Sequence, residues 1–196
     1  MGTIAKINFA RGCQQLIAFK EEDNEIINED ESCLDQFADD ADHFLIGLSK
    51  VIENQLEDRH LDMLMQSVPN FERIGDYATN LVELAQRLQA ERVTFSENAQ
   101  KELGLLCSAV HEILDITVDA FASNDNQKAR LIEPLEETID DMVMLLRDRH
   151  TKRLKNGTCS IGSGLVFMEA LTHLERTADH CSAIAVMMLA RNNEEI

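Results

Sequence analysis

Four short acidic motifs carry the residues of this sequence best suited to chemistry. Glu72 and Asp76 stand in Phe71-Glu72-Arg73-Ile74-Gly75-Asp76-Tyr77, and Glu175 and Asp179 stand in Leu174-Glu175-Arg176-Thr177-Ala178-Asp179-His180, 103 residues further on. A second pair recurs at a spacing of 105, Glu31 with Asp35 and Glu136 with Asp140. On a helix, residues four apart share a face with roughly 5 to 6 Å between their Cβ atoms, so each pair could hold one cation or part of a small cluster. Oxygen donors of this kind suit Mg, Ca, Mn or Fe, and His180 adds a nitrogen donor beside Asp179. With 36 acidic residues in the chain, chance alone supplies about six such pairs, so a single one is no signal. Four pairs in the same order in two halves are a signal of internal duplication.

Helices must position these pairs. Two prolines, eight glycines, no Trp and one Tyr, with long apolar patterns of 3.6-residue period, predict an all-α chain. Six helices are expected, over 4–19, 24–54, 58–90, 97–123, 126–155 and 161–191. Ser96 with Asn98 starts the fourth, Ser123-Asn124-Asp125-Asn126 interrupts before the fifth, and Asn156-Gly157 ends it. Pro134 lies in the first turns of its helix, where it costs little, whereas Pro69 lies inside the third helix and should bend it. The duplication divides the chain at 1–93 and 94–196 into two tandem pseudo-repeated three-helix bundles packed together. The first helix is about two turns shorter than its counterpart, the fourth, so the N-terminus is expected to fall within a helix of a larger protein.

The apolar seams locate the acids. Leu61, Leu64, Val68, Phe71, Gly75, Ala78, Val82 and Ala85 alternate as a and d positions in the third helix, as do Leu171, Leu174, Ala178, Cys181, Ala185 and Met188 in the sixth. Leu135, Ile139, Met142 and Leu146 give the seam of the fifth helix, and Leu34, Phe37, Ala41 and Phe44 that of the second. Every acidic pair then flanks its seam on the same edge, and antiparallel neighbours turn those edges toward each other. In the second half both pairs lie roughly 27 to 30 Å from the Asn156-Gly157 turn, so their heights match; in the first half they agree within roughly one to two turns. Four converging carboxylates need protons, cations or arginines to be tolerated. Gly75 and Ala178 would leave room for an ion or its waters. Arg73 and Arg176 offer the competing arrangement, a salt-bridge network without metal.

Composition narrows the function. The net charge of −18 repels nucleic acid, so no nucleic-acid partner is expected. No apolar run reaches the roughly 18 to 20 residues of a membrane span, and the first residues form neither a signal core nor a myristoylation signal. Five widely spaced cysteines, without C-x-x-C, fit a reducing compartment, with the cytoplasm as the expected location. A di-iron oxidase wants two Glu-x-x-His motifs on inward faces, and the sequence holds one, Glu57-Asp58-Arg59-His60, in an expected turn. No Ser/His/Asp constellation or phosphate-gripping glycine loop stands out, so the chain is expected not to be an enzyme.

The stretch from Phe71 to Glu83, Phe71-Glu72-Arg73-Ile74-Gly75-Asp76-Tyr77-Ala78-Thr79-Asn80-Leu81-Val82-Glu83, closely resembles the signature helix of the PhoU family of phosphate-transport regulators, and the likeness recurs in the second half. The run from Arg149 to Cys159, followed by Leu174 to Ser182, is similar to the cytoplasmic PhoU-like tail of bacterial sodium/phosphate cotransporters. The resemblance spans nearly the whole chain. It implies a PhoU-like six-helix architecture and multinuclear clusters of divalent or ferric ions (Fe, Zn, Mn or Mg) on Glu31, Asp35, Glu72, Asp76, Glu136, Asp140, Glu175 and Asp179. Asn80 matches a further ligand position of the family; Ala183 replaces that Asn in the second half, and Tyr77 replaces the usual His in the first.

The resemblance further implies a non-enzymatic regulatory domain of a sodium-dependent phosphate transporter, at the cytoplasmic face of the cell membrane. Its expected partner is a transmembrane phosphate transporter domain in the same polypeptide, with a homodimer left open. Two alternatives stand beside it: a free-standing PhoU-type adaptor of a phosphate ABC transporter and a sensor kinase, and a metalloenzyme.

Overall fold

A computed structural model describes residues 1–191, so positions 192–196 of the second expected repeat lie outside the described residues. Every regular element among the described residues is helical. The order is α1 (Gly2–Ile17), one 3-10 turn (Glu21–Asp23), α2 (Asn24–Ser49), α3 (Gln55–Glu91), α4 (Glu97–Ser123), α5 (Asn126–Ala129), α6 (Ile132–Lys155) and α7 (Ile161–Ala190). Polar side chains close the exposed amides at four starts: Asn54 accepts from the Leu56 amide, Ser96 from Ala99, Asp125 from Gln127 and Lys128, and Ser160 from Ser163. Arg92 and Asn124 end their helices in left-handed geometry, and Gly157 follows α6 at φ 68°.

Several helix ends differ from the sequence expectation by a few residues, the second helix stopping at Ser49 rather than 54, and one helix is interrupted. The fifth expected helix is broken at Arg130 and Leu131 into α5 and α6. The cause is Pro134, which has no N–H to donate and whose ring collides with the carbonyl of residue i−4, here Arg130. Restarting the helix at Ile132 puts the proline in the first turn, where neither penalty applies. Pro69 has no such release, and α3 runs through it as one 37-residue helix.

One core cluster runs through both halves. α1, α2 and α3 pack together in the first half and α4, α6 and α7 in the second, while α3 against α7 and α1 against α4 join them. Phe71 meets Phe121 edge-on at 5.1 Å between centroids, and Phe95 meets Phe167 in the same way at 5.9 Å. α3 and α7 are antiparallel: Arg191 reaches His60 at one end and Arg87 reaches Glu169 at the other. Between those ends His180 bonds Asn70 at 2.8 Å, and Tyr77 lies 5.5 Å from His173. Since His180 is the repeat counterpart of Tyr77, and His173 that of Asn70, each contact is the other with the repeats exchanged. Tyr77 and His180 themselves meet at 5.8 Å, on the pseudo-two-fold axis of the molecule.

The expected seams of α3 and α7 are buried, but that of α2 is displaced. Phe37 and Phe44 are 47% and 67% exposed, while Ala38 and Leu45 point inward with Ile27 and Leu34. Among the described residues α2 packs mainly on α3, α1 and the 3-10 turn, and small Ala38 lets the helices approach more closely than a phenylalanine would. The same demand explains Gly75. A Cβ there would collide with Cδ2 of Leu34, so the glycine accommodates α2 itself rather than an ion, which corrects the sequence expectation. Gly12 does the same for α1, where a Cβ would stand 2.6 Å from the Ala78 carbonyl oxygen. Because Leu34 precedes Asp35 and Gly75 precedes Asp76, this close approach also sets two carboxylates facing each other.

Gly75→Ala should therefore lower stability by about 1 to 3 kcal/mol through overpacking. Gly47→Ala on α2, whose Cβ would meet nothing within 4 Å, should instead raise it by up to about 1 kcal/mol. Urea unfolding of both variants checks the contrast, and equal responses would show that the α2–α3 approach is not constrained at Gly75.

Candidate functional site

Each half gathers three carboxylates at its helix seam. Oxygens of Glu31, Asp35 and Asp76 lie within 4.8 Å of one another between α2 and α3, and those of Glu136, Asp140 and Asp179 do the same between α6 and α7. The triads occupy equivalent places in the repeats. Glu31 faces Asp76 as Glu136 faces Asp179, and the fields of Asp35 on Glu72 and of Glu175 on Asp140 mark the next rung. The two halves share one register, closer than the turn counting in the first half indicates. Glu72 and Glu175 stand outside the tight triads, one turn along α3 and α7. Asn80 continues the row of Glu72 and Asp76 by one further turn and is half-buried.

Proximity changes the acids. The carboxyls of Glu31, Glu72 and Glu136 are pushed up from 4.5, first by burial and then by neighbouring carboxylates. Asp140 is also pushed up from its usual 3.8, by burial and then by Glu175 and Asp179, and its Oδ1 is buried without a hydrogen-bond partner. Each shift registers the same cost: negative charges drawn together and partly withdrawn from water.

Arginines answer part of that charge. Arg73 donates to Asp76 at 2.9 Å and Arg176 to Asp179 at 3.3 Å, each from an i,i+3 position with the arginine about 60% exposed. These are the contacts of the salt-bridge alternative, and each reaches one carboxylate of its triad. Among the described residues no cation lies within ion-pair distance of Glu31, Asp35, Glu136 or Asp140. The sequence reading missed Arg147, which grips Glu175 through both Nη atoms at 2.7 and 3.3 Å and also donates to the Thr172 hydroxyl. Its counterpart at the 105-residue offset is Asp42, a charge reversal that alignment of the two repeats could have exposed. His180, expected as a donor to the second site, instead bonds Asn70 across the α3–α7 seam and is not part of the triad.

Comparison with known proteins agrees with this architecture. The PhoU domain profile matches residues 103–188. The chain is 25% identical over 141 residues to the phosphate-specific transport system accessory protein PhoU homolog 1 of Thermotoga maritima, covering 70% of this chain and 60% of that one. It is 28% identical over 130 residues to the PhoU homolog of Synechocystis, covering 65% and 55%. The chain thus spans little more than half the length of these relatives. Among solved structures, PhoU from Pseudomonas aeruginosa superposes with a TM-score of 0.92 at 22% identity, over 98% of this chain and 92% of that one. The phosphate transport system regulatory protein PhoU from Streptococcus pneumoniae gives 0.82 at 20% identity, over 100% and 93%.

These findings correct the expected partner. The relatives are PhoU accessory proteins rather than transporter tails, and no described helix is long and apolar enough to cross a membrane. A transmembrane transporter domain fused to this domain is therefore set aside.

The raised carboxyls give a test by pH. A carboxyl whose folded pKa exceeds its unfolded value destabilises the fold once ionised; the penalty is absent below the unfolded value of about 4.5 and grows as pH rises through the folded one. With chelator present, Glu31→Gln and Glu136→Gln should each be more stable than the parent at pH 7, by a few tenths to about 1 kcal/mol after solvent screening. The gap should close below about pH 4.5. Melting curves at pH 4 and 7 check this, and variants less stable than the parent at pH 7 would show that the triads are not repulsive.

Proposed function

We propose that the chain, which matches the PhoU domain over residues 103–188 and is similar to PhoU accessory proteins, is a non-enzymatic regulator of phosphate transport, an accessory adaptor whose two carboxylate triads hold metal ions. In this reading it acts at the cytoplasmic face of the membrane on a phosphate-specific transport system and relays phosphate status to a sensor kinase. The observation that carries the reading is the pair of triads at equivalent seams, each with oxygens inside 4.8 Å. A structural salt-bridge network would interleave charges, yet Glu31, Asp35, Glu136 and Asp140 face other acids. The buried Oδ1 of Asp140, which has no hydrogen-bond partner, would suit a cation ligand.

Glu31, Asp35 and Asp76 would hold the first ion or cluster, with Glu72 and Asn80 extending it; Glu136, Asp140 and Asp179 would hold the second, with Glu175 beside it. All-oxygen donor sets favour Mg, Mn or Fe, and zinc less, since zinc prefers nitrogen and sulfur. Bound metal would supply the positive charge that ties α2 to α3 and α6 to α7, adding stability only to the folded chain. At a free concentration of 100 Kd that amounts to about 2.7 kcal/mol. The two sites are unequal. Arg147 already neutralises Glu175, whereas Asp42 adds charge at the corresponding place in the first half, so the first triad is the stronger cation site.

Chelator-stripped protein titrated with Mn²⁺ should show one tight and one weaker site. Asp76→Ala should abolish the tight one and Asp179→Ala the weaker. Arg147→Gln should tighten the second by up to about tenfold, equivalent to about 1.4 kcal/mol. Two sites of equal affinity, unmoved by Arg147→Gln, would overturn the ranking, and no uptake of Mn, Mg, Fe or Zn would overturn the metal assignment. The regulatory role is tested separately: deleting the gene should relieve the repression of phosphate uptake by phosphate, and unchanged repression would refute it.

A further inference from the structure

The seam between α1 and α4 joins the two halves and contains chemistry that the triads do not use. Cys13 on α1 and Cys107 on α4 are 6% and 7% exposed, and both line one groove of about 280 Å³ between these helices. Phe9, Gly104, Ser108 and His111 complete the lining relevant here. The other cysteines lie elsewhere: Cys33 is exposed on α2, Cys159 precedes α7, and Cys181 is buried within α7.

We propose that Cys13 and Cys107 form a reversible disulfide that staples the first half of the molecule to the second. The two thiols line the same groove across the seam, and burial first, with Cys107 beside it, raises the Cys13 thiol well above its usual 9.0. It is therefore protonated at neutral pH and reacts slowly, so the site responds to sustained oxidation rather than to the ordinary reducing pool. The co-reactant is a small disulfide admitted by the groove. One protein thiol loses its proton and attacks a sulfur of the reagent, whose S–S bond breaks and releases one small thiol. The second protein thiol then attacks the protein sulfur of the mixed disulfide and releases another. Two protein thiols and one disulfide become one protein disulfide and two small thiols, with two electrons passing to the reagent.

The bond would close a loop between residues 13 and 107, crossing from one repeat to the other. Since Gly12 presses α1 onto Ala78 of α3, the staple would also fix α3 relative to α4.

The test is oxidation of the full chain with hydroxyethyl disulfide, followed by denaturation, alkylation and peptide mapping. The expected result is a Cys13–Cys107 link, any further thiol loss being mixed disulfides at the accessible Cys33 and Cys159, with a higher melting temperature and full reversal by dithiothreitol. Cys33→Ser should leave the link intact, whereas Cys13→Ser and Cys107→Ser should each remove it. Five free thiols after exhaustive oxidation, a stable mixed disulfide at either position, or links involving Cys33 or Cys159 in its place would overturn the proposal. Should a buried serine variant fail to fold, the mapped link in Cys33→Ser decides alone.

Discussion

Repulsion among carboxylates that packing forces together is the constraint on which this molecule turns. Leu34 seats itself where a Cβ of Gly75 would be, and α2 closes onto α3 because that apolar contact outweighs the charge brought with it. Asp35 and Asp76 are the immediate chain neighbours of those two residues, so neither can retreat without undoing the seam. The second half repeats the arrangement with buried Ile139 and Ala178. What is stored is a standing demand for positive charge at two fixed places, which arginines meet in part from outside and a bound cation would meet from within.

Symmetry distributes that demand, and departures from symmetry give it a direction. The contacts at the α3–α7 axis exchange almost perfectly, with Tyr77, Asn70, His173 and His180 each standing in for a counterpart. The surroundings of the triads do not: Arg147 occupies a position where the first half has Asp42, and the row of Glu72 and Asp76 continues to Asn80 where the second half has Ala183. Duplication supplies two identical frames, and a few side chains tune them apart. If both triads hold an ion, as proposed, these departures would set the two affinities apart.

Much of this was legible in the sequence because helices write their packing into a fixed period. The seams of α3 and α7 follow from their apolar residues, and the shared register of the triads follows from the repeat spacing. The failures have particular causes. Phe37 and Phe44 drew the seam of α2 toward large side chains, while the packed face uses Ala38, whose small size is what permits contact. The break before α6 depends on the carbonyl that Pro134 would strike, a clash four residues upstream that no period reveals. Gly75 was read as space when the space belongs to Leu34. His180 was read by its neighbour in sequence, Asp179, whereas its bond goes to Asn70, 110 residues away. Arg147 lies outside every motif and becomes visible only once α6 and α7 are laid side by side.

The displaced seam of α2 has a colloidal consequence. Phe37 and Phe44 look outward, and Val51 and Leu56 are exposed near the tip of the same hairpin. Against such patches every copy carries a large like charge, −18 at neutral pH, which opposes association. That barrier is long-ranged in dilute salt and shrinks to about 3 Å at 1 M, while the apolar attraction beneath it does not weaken. The charge barrier is thus a property of the electrolyte as much as of the fold, and it is weakest near the isoelectric point of about 4.6 and in concentrated salt.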